Sequence, residues 1–370
     1  MDCRSMTLNP VFKATFESVD QYRMGADIGF KIDASRYFDG WKPKGIVFAG
    51  MGGSAIVGGL ASDWLRSWCR IPVYIVRGYY PPGFVDEDTL VFALSYSGET
   101  EEALSIAYRS FKLGARIVGL SSGGLLEELC HSLDAPHIKV PKGYQPRAAL
   151  GVMLSSTLAF LEQNILRTGR FMDELEDTIN ILGELKGRLA PSISPSEGNI
   201  AKQIAYKVIG RLPIIYGWEL VSSVAFRWKT QFNENSKVYA VDAVIPEAHH
   251  NEVVPYQDNG FLPGDVTVIL LRSVLEPEEI KVRMEITRQL LDGKVSDLIE
   301  VWSSGSSRLA CIASLVYIGD MASLYLAELR GVDPGDISII SKLKAELDAR
   351  LKFKDKLRTL IVGKGGYGWV

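Results

Sequence analysis

Short, almost unbroken apolar runs recur along the first part of the chain: Gly45–Ala49, Val73–Val76, Thr89–Leu94 and Ala115–Leu120. A strand with one wet face alternates polar and apolar residues. These runs do not alternate, so both of their faces must be covered. The segments between them are of helical length, which predicts a parallel sheet with helices on both sides and right-handed crossovers. Residues 146–190 carry a helical pattern. The breaker cluster Pro191–Gly198 then reads as a linker. After it the pattern restarts, with Arg211–Tyr216, Asp265–Leu271 and Ser296–Val301 as strands and Lys237–Asp242 as a strand or edge. Helices are expected over Trp218–Glu234, after Pro277, Glu278 and Glu279, over Leu309–Gly331, and from Ile337 to about Leu360. The fold class is α/β, with two doubly wound subdomains over residues 1–190 and 199–350, each a mainly parallel sheet flanked by helices. Residues 351–370 form a C-terminal tail. No residue-level repeat relates the halves.

Charge and cysteine content narrow the function classes. There are 41 Lys and Arg against 44 Asp and Glu, a net charge of −3. That balance gives no ground for expecting nucleic acid or a membrane surface as partner. Cys3, Cys69, Cys130 and Cys311 are scattered, with no C-x-x-C pair, so reduced thiols in a cytoplasm are expected rather than zinc or a disulfide scaffold. Charged residues interrupt the N-terminus, unlike a signal peptide. No run approaches the ~20 uninterrupted apolar residues of a spanning helix. Asn and Gln number only 8 and 7, as in heat-adapted proteins.

Two strand-to-helix turns carry the first chemistry. Gly50-Met51-Gly52-Gly53-Ser54-Ala55 offers close backbone approach, helix N-terminal amides and the Ser54 hydroxyl, which together suit an anion. The same string fits a dinucleotide-binding G-x-G-x-x-A. That use needs an acid after the next strand, and the chain there reads Val76-Arg77-Gly78; Arg77 would suit a 2′-phosphate instead. A tight turn holding no ligand is the third possibility. The second turn, Ser95-Tyr96-Ser97-Gly98-Glu99-Thr100, places three hydroxyls and a glycine before a helix. One hydroxyl would be an ordinary helix cap. Three suit the terminal oxygens of a phosphate monoester. No Walker lysine follows.

In the remaining sequence, Glu234 would by itself be a solvated surface carboxylate, and Arg147 a surface arginine. His249 and His250 stand side by side. Adjacent residues without further ligands at helical spacing make a poor metal site. Lys342 and Lys344 read as a solvated basic face.

GMGGSA at 50–55 followed by S-x-S-G-x-T-x-E at 95–102 resembles the sugar isomerase (SIS) domain. Pro146-Arg147, Phe232-Asn233-Glu234-Asn235 and Pro246-Glu247-Ala248-His249-His250-Asn251-Glu252 follow in an order similar to the archaeal-type bifunctional phosphoglucose/phosphomannose isomerases, from about residue 40 to about 350. The resemblance implies two SIS-type subdomains and a metal-independent aldose–ketose isomerase with no cofactor. Its substrates would be glucose 6-phosphate and mannose 6-phosphate, interconverted with fructose 6-phosphate through a cis-enediolate. It implies phosphate binding by Gly52, Gly53, Ser54, Ser95, Ser97 and Thr100. It makes Glu234 the base that moves the C1/C2 proton, His250 the ring-opening acid/base, Arg147 the enediolate-stabilising cation and Lys342 a contact to the sugar hydroxyls. It also implies a homodimer in which the partner contributes this histidine. Where the family often has a threonine associated with accepting mannose 6-phosphate, this chain has Gly335, with Ser338 nearby. A non-catalytic sugar-phosphate-binding regulator would not need Glu234, His250 and Arg147 together. A nicotinamide-dependent dehydrogenase would leave Ser95–Thr100 unexplained.

Overall fold

The structure, a computed structural model, describes residues 7–257 and 266–362. Cys3, Asp265 and the end of the tail, residues 363–370, lie outside the described residues. Two parallel sheets form. β1 (Gly45–Gly50), β2 (Val73–Val76), β3 (Thr89–Leu94), β4 (Arg116–Ser121) and β5 (His137–Lys139) line up in the order β2-β1-β3-β4-β5. β6 (Leu212–Trp218), β7 (Val241–Ile245), β8 (Val266–Arg272) and β9 (Asp297–Trp302) line up as β7-β6-β8-β9. Every strand pair is parallel. In each sheet the chain starts near the middle, adds one strand on one side, then returns to build the other side. That is the doubly wound α/β arrangement expected from the sequence. β3 and β8 are buried at every residue, which is why they read as unbroken apolar runs.

The chain forms two compact units, and both are discontinuous in sequence. One takes residues 20–168 and those from 337 on, and holds β1–β5. The other takes residues up to Val19 together with Gly169–Asp336, and holds β6–β9. The helix Arg170–Arg188, grouped by sequence with the first half, packs in the second unit against the helix Arg308–Leu329. Positive φ at Arg167 and Gly169 breaks the helical run before it. The expected helix from Ile337 to about Leu360 is two helices, Ser338–Leu351 and Phe353–Val362, parted at Lys352 (φ 49°). The first of these buries no residue. The second sets Phe353 and Leu357 into the core formed by Leu104, Leu125, Leu126 and Leu129. Burial of each is worth about 1.5–3 kcal/mol.

Among the described residues two helical segments, Pro146–Leu166 and Arg308–Leu329, are long and apolar enough by composition to cross a membrane, although Glu162 and Asp320 interrupt their apolar runs. Both are core segments, the first mostly and the second wholly buried. An all-round apolar helix suits the centre of a protein as well as a bilayer. Arg308–Leu329 carries one charge inward. Asp320 accepts from Arg227 Nε (2.8 Å) and Nη2 (2.6 Å) and from Gln231 Nε2 (3.1 Å), tying it to the helix Ser222–Ser236. Asp320→Ala strands the Arg227 guanidinium in the core. The expected loss is about 3–5 kcal/mol, read from the midpoint of urea unfolding at constant slope.

Candidate active site

β1 and β3 are neighbours, and their last residues, Gly50 and Leu94, are register partners. β2 lies on the far side of β1 and β4 on the far side of β3. The two candidate turns therefore leave the same edge side by side at the point where the winding reverses, the usual ligand crevice of such sheets. After β1, Met51 sits at the cap position with no side-chain cap, and the helix Gly52–Leu65 begins. Its first amides have no partner within the helix. Ser54 is buried, and its Oγ accepts from Tyr96 N at 3.2 Å, joining the first turn to the second.

In the second turn the three hydroxyls have different environments. Ser95 is fully buried. Its Oγ donates to Thr100 Oγ1 (2.8 Å) and accepts from Gly98 N (3.1 Å) and Thr100 N (3.3 Å). It is thus the post around which the loop is wound. Ser97 is exposed and accepts from Glu99 N, and Thr100 is half-buried. Thr100 stands at the cap position of the helix Glu101–Lys112 without a side-chain cap bond, so capping does not account for its hydroxyl. Gly98 has φ 73°, and a Cβ there would meet Gly123 O at 1.8 Å, so the turn is pressed onto the Gly123-Gly124 loop. Ser121 Oγ holds that loop, donating to Gly123 O (2.7 Å) and accepting from Gly123 N (3.2 Å). With the Ser121 proton so used, the ring nitrogen Nε2 of His137, 2.8 Å away, is assigned as the protonated donor.

Arg147 joins this constellation. It is buried, in the short 3₁₀ turn Pro146–Ala149 before the helix Leu150–Leu161. A Cβ on Gly53 would meet Arg147 Cα at 3.1 Å and N at 3.3 Å, so a side chain there would push the Arg147 backbone away by a few tenths of an ångström. Tyr96 is a link that sequence reasoning missed. Its hydroxyl donates to Pro141 O (2.9 Å) and accepts from Tyr144 N (2.9 Å), fixing the segment that leads to Arg147. The only signal was its place between two serines of a recognised motif. Lys342 belongs to the same unit but is exposed, on the helix with no buried residue.

Glu234 and His250 belong to the other unit. Glu234 is half-buried near the end of the helix Ser222–Ser236, and its carbonyl accepts from Lys237 Nζ at 2.6 Å. Its neighbours are structural: Asn235 Nδ2 donates to Ser323 Oγ (2.9 Å), and Asn233 Oδ1 accepts from Ala240 N (3.2 Å). The 3₁₀ turn Glu247–His250 follows β7. There His249 is tied down, with Nε2 2.8 Å from Thr287 Oγ1 and Nδ1 3.2 Å from Arg283 Nη1. Burial, then the Arg283 charge, hold its pKa below the usual value. His250 is exposed. Of the adjacent pair, then, one is a fastener and the other faces outward. Among the described residues no three His, Cys, Asp or Glu side chains converge as metal ligands would.

Comparison with known proteins extends over nearly the whole chain. A family model described as the bacterial phospho-glucose isomerase C-terminal SIS domain matches residues 197–347. A bifunctional phosphoglucose/phosphomannose isomerase from Caldicellulosiruptor bescii is 37% identical over 340 residues, 91% of this chain and 98% of that protein. One from Aquifex aeolicus is 39% identical over 306 residues, 82% and 90% of the two chains. In fold, the chain is similar to the C-terminal domain of glucosamine-fructose-6-phosphate aminotransferase from Francisella tularensis. That similarity has a TM-score of 0.71 at 16% identity, covering 89% of this chain and 98% of that one.

The support under the second turn makes it sensitive to acid. The His137 side chain is 6% exposed, and burial pushes its pKa down to about 4, against the pull of Glu127. An unfolded histidine titrates near 6.5. The unfolded chain therefore binds the extra proton first. This contribution is intact above pH ~6.5 and is lost progressively as pH falls towards ~4, to a limit of about 3 kcal/mol. His137→Gln should flatten the fall in urea midpoint between pH 7 and pH 4. Parallel curves for the two proteins would remove His137 from the account.

Proposed function

This chain belongs to the bifunctional phosphoglucose/phosphomannose isomerase family, and on that premise we propose that it interconverts glucose 6-phosphate, and mannose 6-phosphate, with fructose 6-phosphate. The observation that carries the proposal is the joining of Arg147 to the two turns through Gly53, Ser54 and Tyr96. That joining brings the Arg147 backbone to the crevice, and it supports assigning the Arg147 guanidinium to the sugar phosphate bound there. The amides of Gly52 and Gly53 and the hydroxyls of Ser54, Ser97 and Thr100 hold the phosphate. Ser95, wholly buried, shapes the loop that presents them. Glu234 takes the proton from one of C1 and C2 and returns it to the other. Arg147 stabilises the oxyanion of the cis-enediolate between those steps. His250 opens the sugar ring, and its exposure favours a site completed by a second copy of the chain in a homodimer. Lys342 contacts the sugar hydroxyls. The steps require only proton transfers, so no redox cofactor is invoked, and the enzyme is assigned to the cytoplasm.

Epimer choice turns on the segment around Asp333. Asp333 Oδ1 accepts from Gly335 N (2.7 Å) and Asn9 Nδ2 (3.0 Å). Gly335 offers no hydroxyl where the resemblance leads one to expect threonine, and this supports glucose 6-phosphate as the favoured product.

Purified protein given fructose 6-phosphate should yield glucose 6-phosphate, with mannose 6-phosphate more slowly. No turnover to either product at any temperature up to ~80 °C would overturn the proposal. Glu234→Gln should lose roughly 10²–10⁴ in turnover while fructose 6-phosphate still binds. Near-normal turnover in that variant would assign the base to another residue.

A further inference from the structure

The helix Phe353–Val362 plays no part in the chemistry above, yet it reaches the phosphate turn. Lys354 Nζ lies 3.7 Å from Glu99 Oε2, and both side chains are largely sheltered. Glu99 Oε1 in turn accepts from Leu125 N at 3.0 Å. Leu125 opens the helix Leu125–Ser132, whose cap residue is Gly124 and has no side chain to cap with. Glu99 supplies that cap from across the fold, so the turn and the helix share one carboxylate. Phe353 and Leu357 anchor the clamp in the core, and the Phe353 ring packs edge-on to Tyr79 at 6.4 Å. The charge of Lys354 also faces Glu101, which is buried and has one carboxylate oxygen without a hydrogen-bond partner. Glu99, Glu101 and Glu102 crowd three carboxylates beside a turn read as holding a phosphate dianion, and Lys354 brings a cation to Glu99 and Glu101.

The geometry points to Lys354 and Glu99 as positioning residues, through which the last helix holds the turn Ser95–Thr100 in its phosphate-binding shape. This rests on the phosphate role proposed for that turn. The test compares Lys354→Ala, Lys354→Arg and Glu99→Gln. Affinity for inorganic phosphate is measured by calorimetry and KM for fructose 6-phosphate by turnover. Lys354→Ala should weaken both by about 3–5-fold with kcat little changed, and Lys354→Arg should restore them. Glu99→Gln decides between clamp and plain repulsion. A clamp loses phosphate affinity even though a negative charge has been removed, whereas a merely repulsive carboxylate gains it. Unchanged affinity in Lys354→Ala, or a gain in Glu99→Gln, overturns the inference. Phosphate binding is read without turnover, so a wild type that binds phosphate but does not isomerise refutes the functional proposal while the clamp is still decided by the same titrations. A wild type that does not bind phosphate overturns the clamp as well.

Discussion

Parallel pairing of β1 with β3 is the constraint from which the site follows. Strands that run together end together, so the segments after Gly50 and Leu94 emerge at one edge in adjacent positions. Their helices then leave in opposite winding directions, because β2 lies beyond β1 and β4 beyond β3. A crevice opens between them without any special sequence. What the sequence adds is chemistry small enough to stand there: glycines that let the Arg147 backbone and the Gly123 carbonyl press close, and hydroxyls that bond the loops to each other.

The strands were legible because burial on both faces leaves a plain mark. β1, β3, β4 and β8 all lie where unbroken apolar runs announce them. β5 was not seen. It has three residues, His137-Ile138-Lys139, of which only the middle one is buried. The helix Ile200–Val208, hidden behind the breaker cluster at 191–198, was missed for a related reason: punctuation before it looked like a linker. The break at Lys352 was also invisible. A lysine in left-handed conformation has no sequence signature, whereas a glycine there would have had one.

In the candidate site, residue types were legible and their division of labour was not. Three hydroxyls in one turn suggested three phosphate contacts. Burial separates them, because a hydroxyl with no exposure must spend its bonds inside, and Ser95 does so on Thr100 and two loop amides. The histidine pair shows the same thing. Adjacent side chains on a 3₁₀ turn point in different directions, so His249 meets Thr287 and Arg283 while His250 does not share those partners. Glu99 passed unremarked because its partner, Leu125 N, is a backbone group, which no side-chain pattern reveals.

The scattering of each unit along the chain affects how the protein is made. Synthesis runs from the N-terminus, and domains tend to fold as they emerge. Here β1 to β5 are all translated early, yet part of the apolar packing around Leu125, Leu126 and Leu129 comes from Phe353 and Leu357, far later in the chain. Until the ribosome reaches them, the nascent sheet lacks two of the apolar side chains that pack beside the turn Ser95–Thr100. The helix Phe353–Val362 adds that packing only after the whole of the second unit has been made.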